Sequence, residues 1–420
     1  MDKQNYFHSV RILLDKCNGC THCIRACETE AIRVRNGKAI IHEVRCIDCG
    51  ECIRICPREA ITTTSDSLDA LKRFDYNIAL PSTSFAAQSP TTESLNKLLN
   101  GFLYLGFDDV FETARANQIV AQSINLRLQE KGIVKPYISS VCPAIVRLIQ
   151  VRFPSLVENI IPVEAPLEIA GKIIKKRKAL ELGIDPCKIG VFYISPCPAR
   201  VTSIKQPVGT IETCVDGAIA LREIFNRLLL NIDKIEIKKE LAHATPAELR
   251  WGAVGGEVRL LNTLKTISVD GISNVVHVLN KMENYDLEDF DFVEAFACPC
   301  GCVGGVLNFE NPYVAKQRVY LNGRKGEDRQ DTEMIELGRN MYENGEILLT
   351  HQVEPRPVLN LDSDMRKAIQ KLEKLEGILL NLPGIDCGAC GSPTCRALAE
   401  DIVQGYASIT DCVFTSSNKE

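Results

Sequence analysis

The sequence predicts three units: a small cysteine-dense α+β unit at residues 1–64, an α/β domain at 78–356, and a small helical unit at 357–420. Three observations predict this. A cysteine spacing repeats within the first 64 residues, apolar β-type runs alternate with amphipathic helical stretches through the middle, and four further cysteines fall in the last helical segment. A polar helical connector at 65–77 joins the first two units.

The chain has 420 residues, enough for two or three domains. Its 45% hydrophobic and 25% charged content is ordinary for a globular protein. A net charge of −5 gives no reason to expect nucleic acid or an anionic membrane as a partner. No apolar run reaches the roughly 18 residues needed to span a bilayer, and MDKQNYFHSV lacks the apolar centre of a secretory leader. The expected location is the cytoplasm. In that reducing compartment, 19 cysteines point to metal or redox chemistry rather than to disulfides. Sixteen of the 19 fall into three sets of recognisable spacing, which leaves Cys187, Cys214 and Cys300.

The first unit reads Cys17-x2-Cys20-x2-Cys23-x3-Cys27, then Cys46-x2-Cys49-x2-Cys52-x3-Cys56. Between the two runs, AIRVRNGKAIIHE predicts two short strands turned at Asn36-Gly37. This spacing is the bacterial ferredoxin signature, in which three thiolates grip one cubane and the fourth reaches the other. By that logic Cys17, Cys20, Cys23 and Cys56 hold one [4Fe–4S] cluster, and Cys46, Cys49, Cys52 and Cys27 hold a second. Pro57 follows Cys56 as the motif expects, whereas Glu28 follows Cys27. Zinc is the alternative, but it needs only four ligands, and triplets repeated twice fit it poorly. His22 reads as a surface residue.

In the middle, NIALP, KIGVFYIS and FVEAFA read as strands, and ESLNKLLNGFLYLG and DGAIALREIFNRLLL as helices. Three β-like runs end at cysteines: Ser139-Ser140-Val141-Cys142-Pro143, Ser195-Pro196-Cys197-Pro198-Ala199-Arg200, and a third running from Glu294 through Cys298-Pro299-Cys300-Gly301-Cys302 to Gly304-Gly305. Strand ends are where α/β folds place their sites. Four thiolates from three loops could surround one further cubane.

These three motifs resemble the active-site signatures of the [FeFe]-hydrogenases, in the family's order over residues 77–310. LGFDDVFET, RFPSLVENIIPVEAPLEIAGKIIKK and WGAVGGEVR are similar to other family segments. The resemblance implies an H-cluster domain in which Cys142, Cys197, Cys298 and Cys302 hold a [4Fe–4S] cluster. Cys302 would also bridge to a diiron subsite carrying CO, cyanide and an azadithiolate. It further implies reversible cleavage of H2 at an open iron, with the bridging amine as base. The implied partners are H2 and protons and a ferredoxin or similar electron carrier; the reading also admits a signalling partner protein and a homodimer.

The chain departs from the family pattern around the site. Val141 stands where productive enzymes carry a proton-relaying cysteine, and Ser195 and Arg200 replace a methionine and a cyanide-holding lysine. Phe296 replaces a methionine, Cys300 a glycine, and Val306 the third glycine. These departures are those of the divergent, sensory-type branch and imply slow turnover. Three roles are open for Cys300: ligand, proton donor, or inert member of a tight turn. Cys187 and Cys214 read as small buried hydrophobes. Trp251 and its turn read as core packing near the site, and Glu294 as an acceptor for loop backbone. His243, His277 and His351 show no ligand spacing. GAVGGE at 252–257 lacks the dinucleotide fingerprint, so direct use of NAD is not expected.

The stretch 345–363, with Pro355 and Pro357, reads as a linker. Beyond it, Cys387-x2-Cys390-x4-Cys395-x16-Cys412 resembles a small four-cysteine [4Fe–4S] domain of corrinoid and membrane electron-transport proteins; zinc is again the alternative. Ser392 is the expected cap of a helix leading to Val403, with Pro393 in its first turn. Three functions compete: a hydrogenase, a sensor built on the same site, and an electron-transfer protein without the diiron subsite. Turnover with a reduced dye separates the first two, and infrared bands of CO and cyanide separate both from the third.

Overall fold

The computed structural model describes residues 6–322, 331–356, 358, 361–362 and 364–416. The predicted unit boundary at 357, and linker positions 359, 360 and 363, lie outside the described residues.

The N-terminal unit holds four strands, β1 (Val10–Ile12), β2 (Ile32–Arg35), β3 (Lys38–Ile41) and β4 (Ile61–Thr63). β1 pairs antiparallel with β4, and β2 with β3. The β2–β3 turn falls on Asn36 and Gly37, both in the left-handed region that the tight turn demands. Each cysteine run closes on a one-turn helix, His22–Arg25 or Glu51–Ile55.

The α/β domain contains two parallel sheets. Its strands are β5 (Tyr76–Pro81), β6 (Asp109–Val110), β7 (Tyr137–Ile138), β8 (Ile189–Ser195), β9 (Gly217–Ala220), β10 (Thr266–Asp270) and β11 (Phe292–Phe296). One sheet has the order β6-β5-β8-β9 and the other β10-β11-β7. β8 is buried along its whole length, and so is β11, which explains their continuous apolar runs. Helices Ala116–Gln129, Pro166–Leu182 and Thr332–Glu343 cover one core, and Thr92–Tyr104 and Leu221–Leu230 cover another.

Two local readings change. The start of DGAIALREIFNRLLL is not helical: GAIA forms β9, because its backbone pairs with Phe192–Ser195 and its small residues fit beneath the Phe192 ring. A Cβ on Gly217 would meet that ring at 2.8 Å. The connector is two turns of 3-10 helix, Leu68–Arg73, and its C-terminal end already belongs to β5.

The C-terminal unit packs helix Met365–Leu379 against helix Cys395–Val403 around Leu375, Leu398, Ala399 and Cys412. The second helix is capped by Thr394, whose side chain accepts from the Ala397 N–H. Ser392 instead hydrogen-bonds Asp401, which corrects the expected cap. Among the described residues, no helix is long and apolar enough to cross a membrane.

Candidate metal centres

The interleaved spacing of the N-terminal cysteines becomes two separate cavities. One is lined by Cys17, Cys20, Cys23 and Cys56, the other by Cys27, Cys46, Cys49 and Cys52. Cys23 is pushed up to about 11 by burial, with further raising from Cys20, Cys17 and Cys56. Cys52 lies well above the ordinary thiol range for the same first reason, with Cys49, Cys46 and Cys27 adding to it. Thiols that raise one another in a dry cavity stay protonated alone; a cationic iron core removes both the proton and the repulsion.

The second cavity abuts the α/β domain. Cys49 packs into the same apolar cluster as Cys142 and Cys197. Gly50, at φ +82°, lies so close to Val306 that a Cβ there would sit 2.7 Å from its methyl. Between Cys46 and Cys49, buried Asp48 accepts from the Val10 N–H, meets His8 Nδ1 at 3.0 Å and pairs with Arg147 at 3.4 Å. Burial works against its charge, but these partners win and hold the carboxyl below its ordinary range. Arg147 lies on the helix that Cys142 opens, so this ion pair joins the ferredoxin-like unit to the site domain. Asp48→Ala strands Arg147 in the core and is expected to cost about 3–5 kcal/mol. Denaturant unfolding of the purified chain checks this.

The central site sits where strands of both parallel sheets end. Cys142 follows β7 and opens helix Pro143–Arg152; Cys197 follows β8 and opens helix Pro198–Lys205. Each helix has proline in its first turn, where no N–H is needed, and points its positive end toward the thiols. Cys298 and Cys302 come from the loop after β11. The four act on one another: Cys298 is raised well above the thiol range by burial, then by Cys197, Cys142 and Cys302. Cys302 is pushed up to about 12 by burial against the pull of Arg200, with Cys142 and Cys197 adding to it. Three separate loops therefore converge on one pocket of thiols.

A cavity beside Cys302 is lined by Val141, Arg200, Tyr193, Trp251, Thr113 and Asn117, among others. Trp251 Nε1, Thr113 Oγ1 and Asn117 Oδ1 are buried and have no partner among the described residues. Leaving such atoms unpaired costs about 1–3 kcal/mol each, so this wall is built for a small polar occupant. A CO- and cyanide-bearing diiron group would fit the two donors, Trp251 Nε1 and Thr113 Oγ1, while Asn117 Oδ1 calls for a donor such as its amine. Arg200 is buried and donates to the Val141 carbonyl. Ser195 ties down its own loop, donating to the Cys197 carbonyl at 2.9 Å. Phe296 is buried in the core that packs against Cys142 and Cys302.

Cys300 is directed elsewhere. It packs with Ala87, Ala253, Val303, Ala315 and Val319, and its backbone N–H donates to Asp270. The reading of the other spare cysteines needs correction: Cys187 is exposed in a turn and Cys214 is half-buried. A polar turn at Asp185-Pro186 places Cys187 outside the core. Trp251 is buried as read, and Glu294 accepts loop N–H groups from Gly255 and Glu257 at 2.6 and 2.9 Å. The four histidines read as ordinary, His22, His243, His277 and His351, are exposed.

Sequence reasoning missed Glu257. It is buried, and Ser139 Oγ lies 2.9 and 2.8 Å from its two carboxylate oxygens. Burial pushes its carboxyl well above the ordinary range and neighbouring Glu294 pushes it further; burial raises Glu294 as well. Ser268, exposed on β10, hydrogen-bonds Glu294. Glu294 accepts from the Glu257 N–H, the Glu257 carboxyl meets Ser139, and Ser139 accepts the Val141 N–H at the cavity wall, so these groups lie in succession from the exposed Ser268 inward.

The model of the iron-only hydrogenase large subunit, C-terminal domain, matches residues 77–261 and 253–306, over half of the chain. The chain belongs to the iron-only hydrogenase family. A 4Fe-4S dicluster domain matches residues 16–61, and a small Fe-S cluster domain matches 382–414. This family member is an iron–sulfur protein of a hydrogenase-like oxidoreductase family, with a 4Fe-4S dicluster unit near its N-terminal end and an Fe-S cluster unit near its C-terminal end. It is 25% identical over 268 residues to the NADP-reducing hydrogenase subunit HndD of Solidesulfovibrio fructosivorans, 52% of this chain and 46% of that one. It is 22% identical over 365 residues to the cytosolic Fe-S cluster assembly factor NAR1 homolog of Schizosaccharomyces japonicus, 79% of this chain and 68% of that one. The chain therefore spans about half the length of its hydrogenase relative. A solved [FeFe]-hydrogenase HydA1 variant from Chlamydomonas reinhardtii shares the fold, with TM-score 0.51 and 16% identity over 69% of this chain and 98% of that one.

Proposed function

We propose that the chain handles H2 and protons at a [4Fe–4S]-linked diiron site, passing electrons to or from a ferredoxin-type carrier in the cytoplasm. The observation that carries this reading is the convergence of Cys142, Cys197, Cys298 and Cys302 beside a cavity with three orphaned polar atoms. In this reading Cys142, Cys197, Cys298 and Cys302 hold the cubane, and Cys302 also faces the cavity. The bound group would supply the open iron and the bridging amine for H2 cleavage or formation. Arg200 provides a fixed positive charge, and Trp251 and Thr113 provide hydrogen-bond donors. Glu257 and Ser139 take up or deliver protons at the wall formed by Val141.

Val141 cannot titrate, so the last proton step lacks a relay thiol. This supports slow turnover and a reporting role through a partner protein. Val141→Cys places a thiol on the cavity wall and is expected to raise H2 evolution from a reduced dye at least about tenfold. A second reading, an iron–sulfur protein without H2 chemistry, draws support from the match to the NAR1 homolog over 79% of the chain. Infrared spectra of the chain matured with a synthetic diiron complex test both. CO and cyanide bands that shift under H2 and under added CO support the first reading; their absence sinks it.

A further inference from the structure

The C-terminal unit is not tethered loosely to the rest of the chain. Its cysteine loop adds to the open edge of β2: the Val34 N–H donates to the Gly391 carbonyl at 2.7 Å. Gly391 is at φ +79°, and a Cβ there would collide with the Val34 carbonyl, so only glycine allows this approach. Val34 lines the cavity of Cys17, Cys20, Cys23 and Cys56, while Gly391 directly follows Cys390. Two arginines of the N-terminal unit hold the ligand loop itself. Arg25 donates to the Cys387 carbonyl at 2.8 Å and Arg35 to the Cys390 carbonyl at 3.2 Å.

Beneath this contact lies a buried ionic lock. Arg33 Nε and Arg35 Nη2 each lie 2.6 Å from the same oxygen of Asp401, and Ser392 donates to that oxygen at 3.2 Å. Arg33 and Asp401 are almost fully buried. Arg45–Glu400 at 2.7 Å and Thr394–Glu30 at 3.1 Å close the rim. Two charged partners on one carboxylate oxygen fix both position and angle, which a surface contact between tethered units would not need.

We propose that this lock wires the C-terminal cluster to the cluster of Cys17, Cys20, Cys23 and Cys56 through the Gly391–Val34 contact. The proposal rests on the iron–sulfur reading of both cysteine sets. The contacts then set an order of neighbours: C-terminal cubane, the Cys17 set, the Cys27 set against Val306 and Pro198, and the central site. A one-electron carrier of the ferredoxin class reduces the C-terminal cubane; that cubane is reoxidised as its neighbour takes the electron, and no bond changes. Cys387, Cys390 and Cys395 are only partly covered, which leaves this end open to such a carrier. Arg33, Arg35 and Asp401 are positioning residues in this scheme.

The test is electron paramagnetic resonance of the full chain, reconstituted with iron and sulfide and reduced by one electron per cluster. The native chain should show cubane signals broadened by a near neighbour. Asp401→Asn and Gly391→Leu should keep the iron content but lose the broadening assigned to the C-terminal cluster. Should either variant fail to fold, Cys395→Ser removes only that cluster and must sharpen the signal of its neighbour. A native spectrum of sharp, non-interacting cubanes, or broadening unchanged in all three variants, overturns the proposal. Absence of any cubane signal, with iron below that of the cysteine sets, overturns the iron–sulfur reading instead.

Discussion

Replacing Cys298 by alanine is expected to abolish H2 turnover and to remove one cubane, four irons, from the reconstituted chain. The Cys298 thiolate is disfavoured on its own, because burial raises the thiol well above its ordinary range and Cys197, Cys142 and Cys302 add to the repulsion. The nearest spare thiol in sequence, Cys300, is packed among Ala87, Ala253, Val303, Ala315 and Val319 and is not positioned to take its place. Three remaining thiols would not secure the cubane, and the proposed H2 site would be lost with it. Cys17, Cys23 and Cys56, and Cys390, Cys395 and Cys412 of the C-terminal unit, lie in other packing clusters, so their centres should persist; Cys49 of the second ferredoxin-like set packs with the central site. Iron analysis and visible absorption read the loss, and dye-linked H2 assays read the activity. Retention of the full iron content in this variant would show that Cys298 is not a ligand.

Glu257→Gln is expected to lower turnover by about 10²–10⁴-fold while leaving the iron content unchanged. Glutamine keeps the shape and accepts from Ser139, but it cannot carry a proton. Burial raises the carboxyls of both Glu257 and Glu294, and the charge of Glu294 raises Glu257 further, which favours the protonated form of Glu257. A raised carboxyl loses that proton only as pH climbs, so native proton delivery declines on the alkaline side. The Gln variant should be slow and should lack that decline. Glu294→Gln breaks a different function as well, since Glu294 also ties the 255–257 loop through two backbone N–H groups. A native rate in Glu257→Gln across the pH range would rule out this path.

Chemistry was legible wherever it is written locally. A thiolate triplet two residues apart can grip one cubane only with its own short loop, so the spacing of Cys17 to Cys56 already separated two sets of ligands. The Asn36-Gly37 turn was readable for the same reason, because two adjacent left-handed residues are needed there. The strands at 76–81, 189–195 and 292–296 showed as apolar runs, being buried on both faces. The strand at 217–220 did not, since a four-residue GAIA segment becomes β only when Phe192–Ser195 offers its edge.

The order, spacing and chemical kind of the cysteines came from the sequence alone, together with the family they resemble. Only the tertiary structure decided what surrounds them. Glu257 is an ordinary acid in a glycine-rich stretch until β11 brings Glu294 beside it and both leave water; desolvation and repulsion are properties of the packed pair. Asp401 and Arg33 stand 368 residues apart, and no local pattern records that they share a buried oxygen contact. Long-range electrostatics exists only after folding removes the solvent between distant segments, so those residues acquire their roles from the fold.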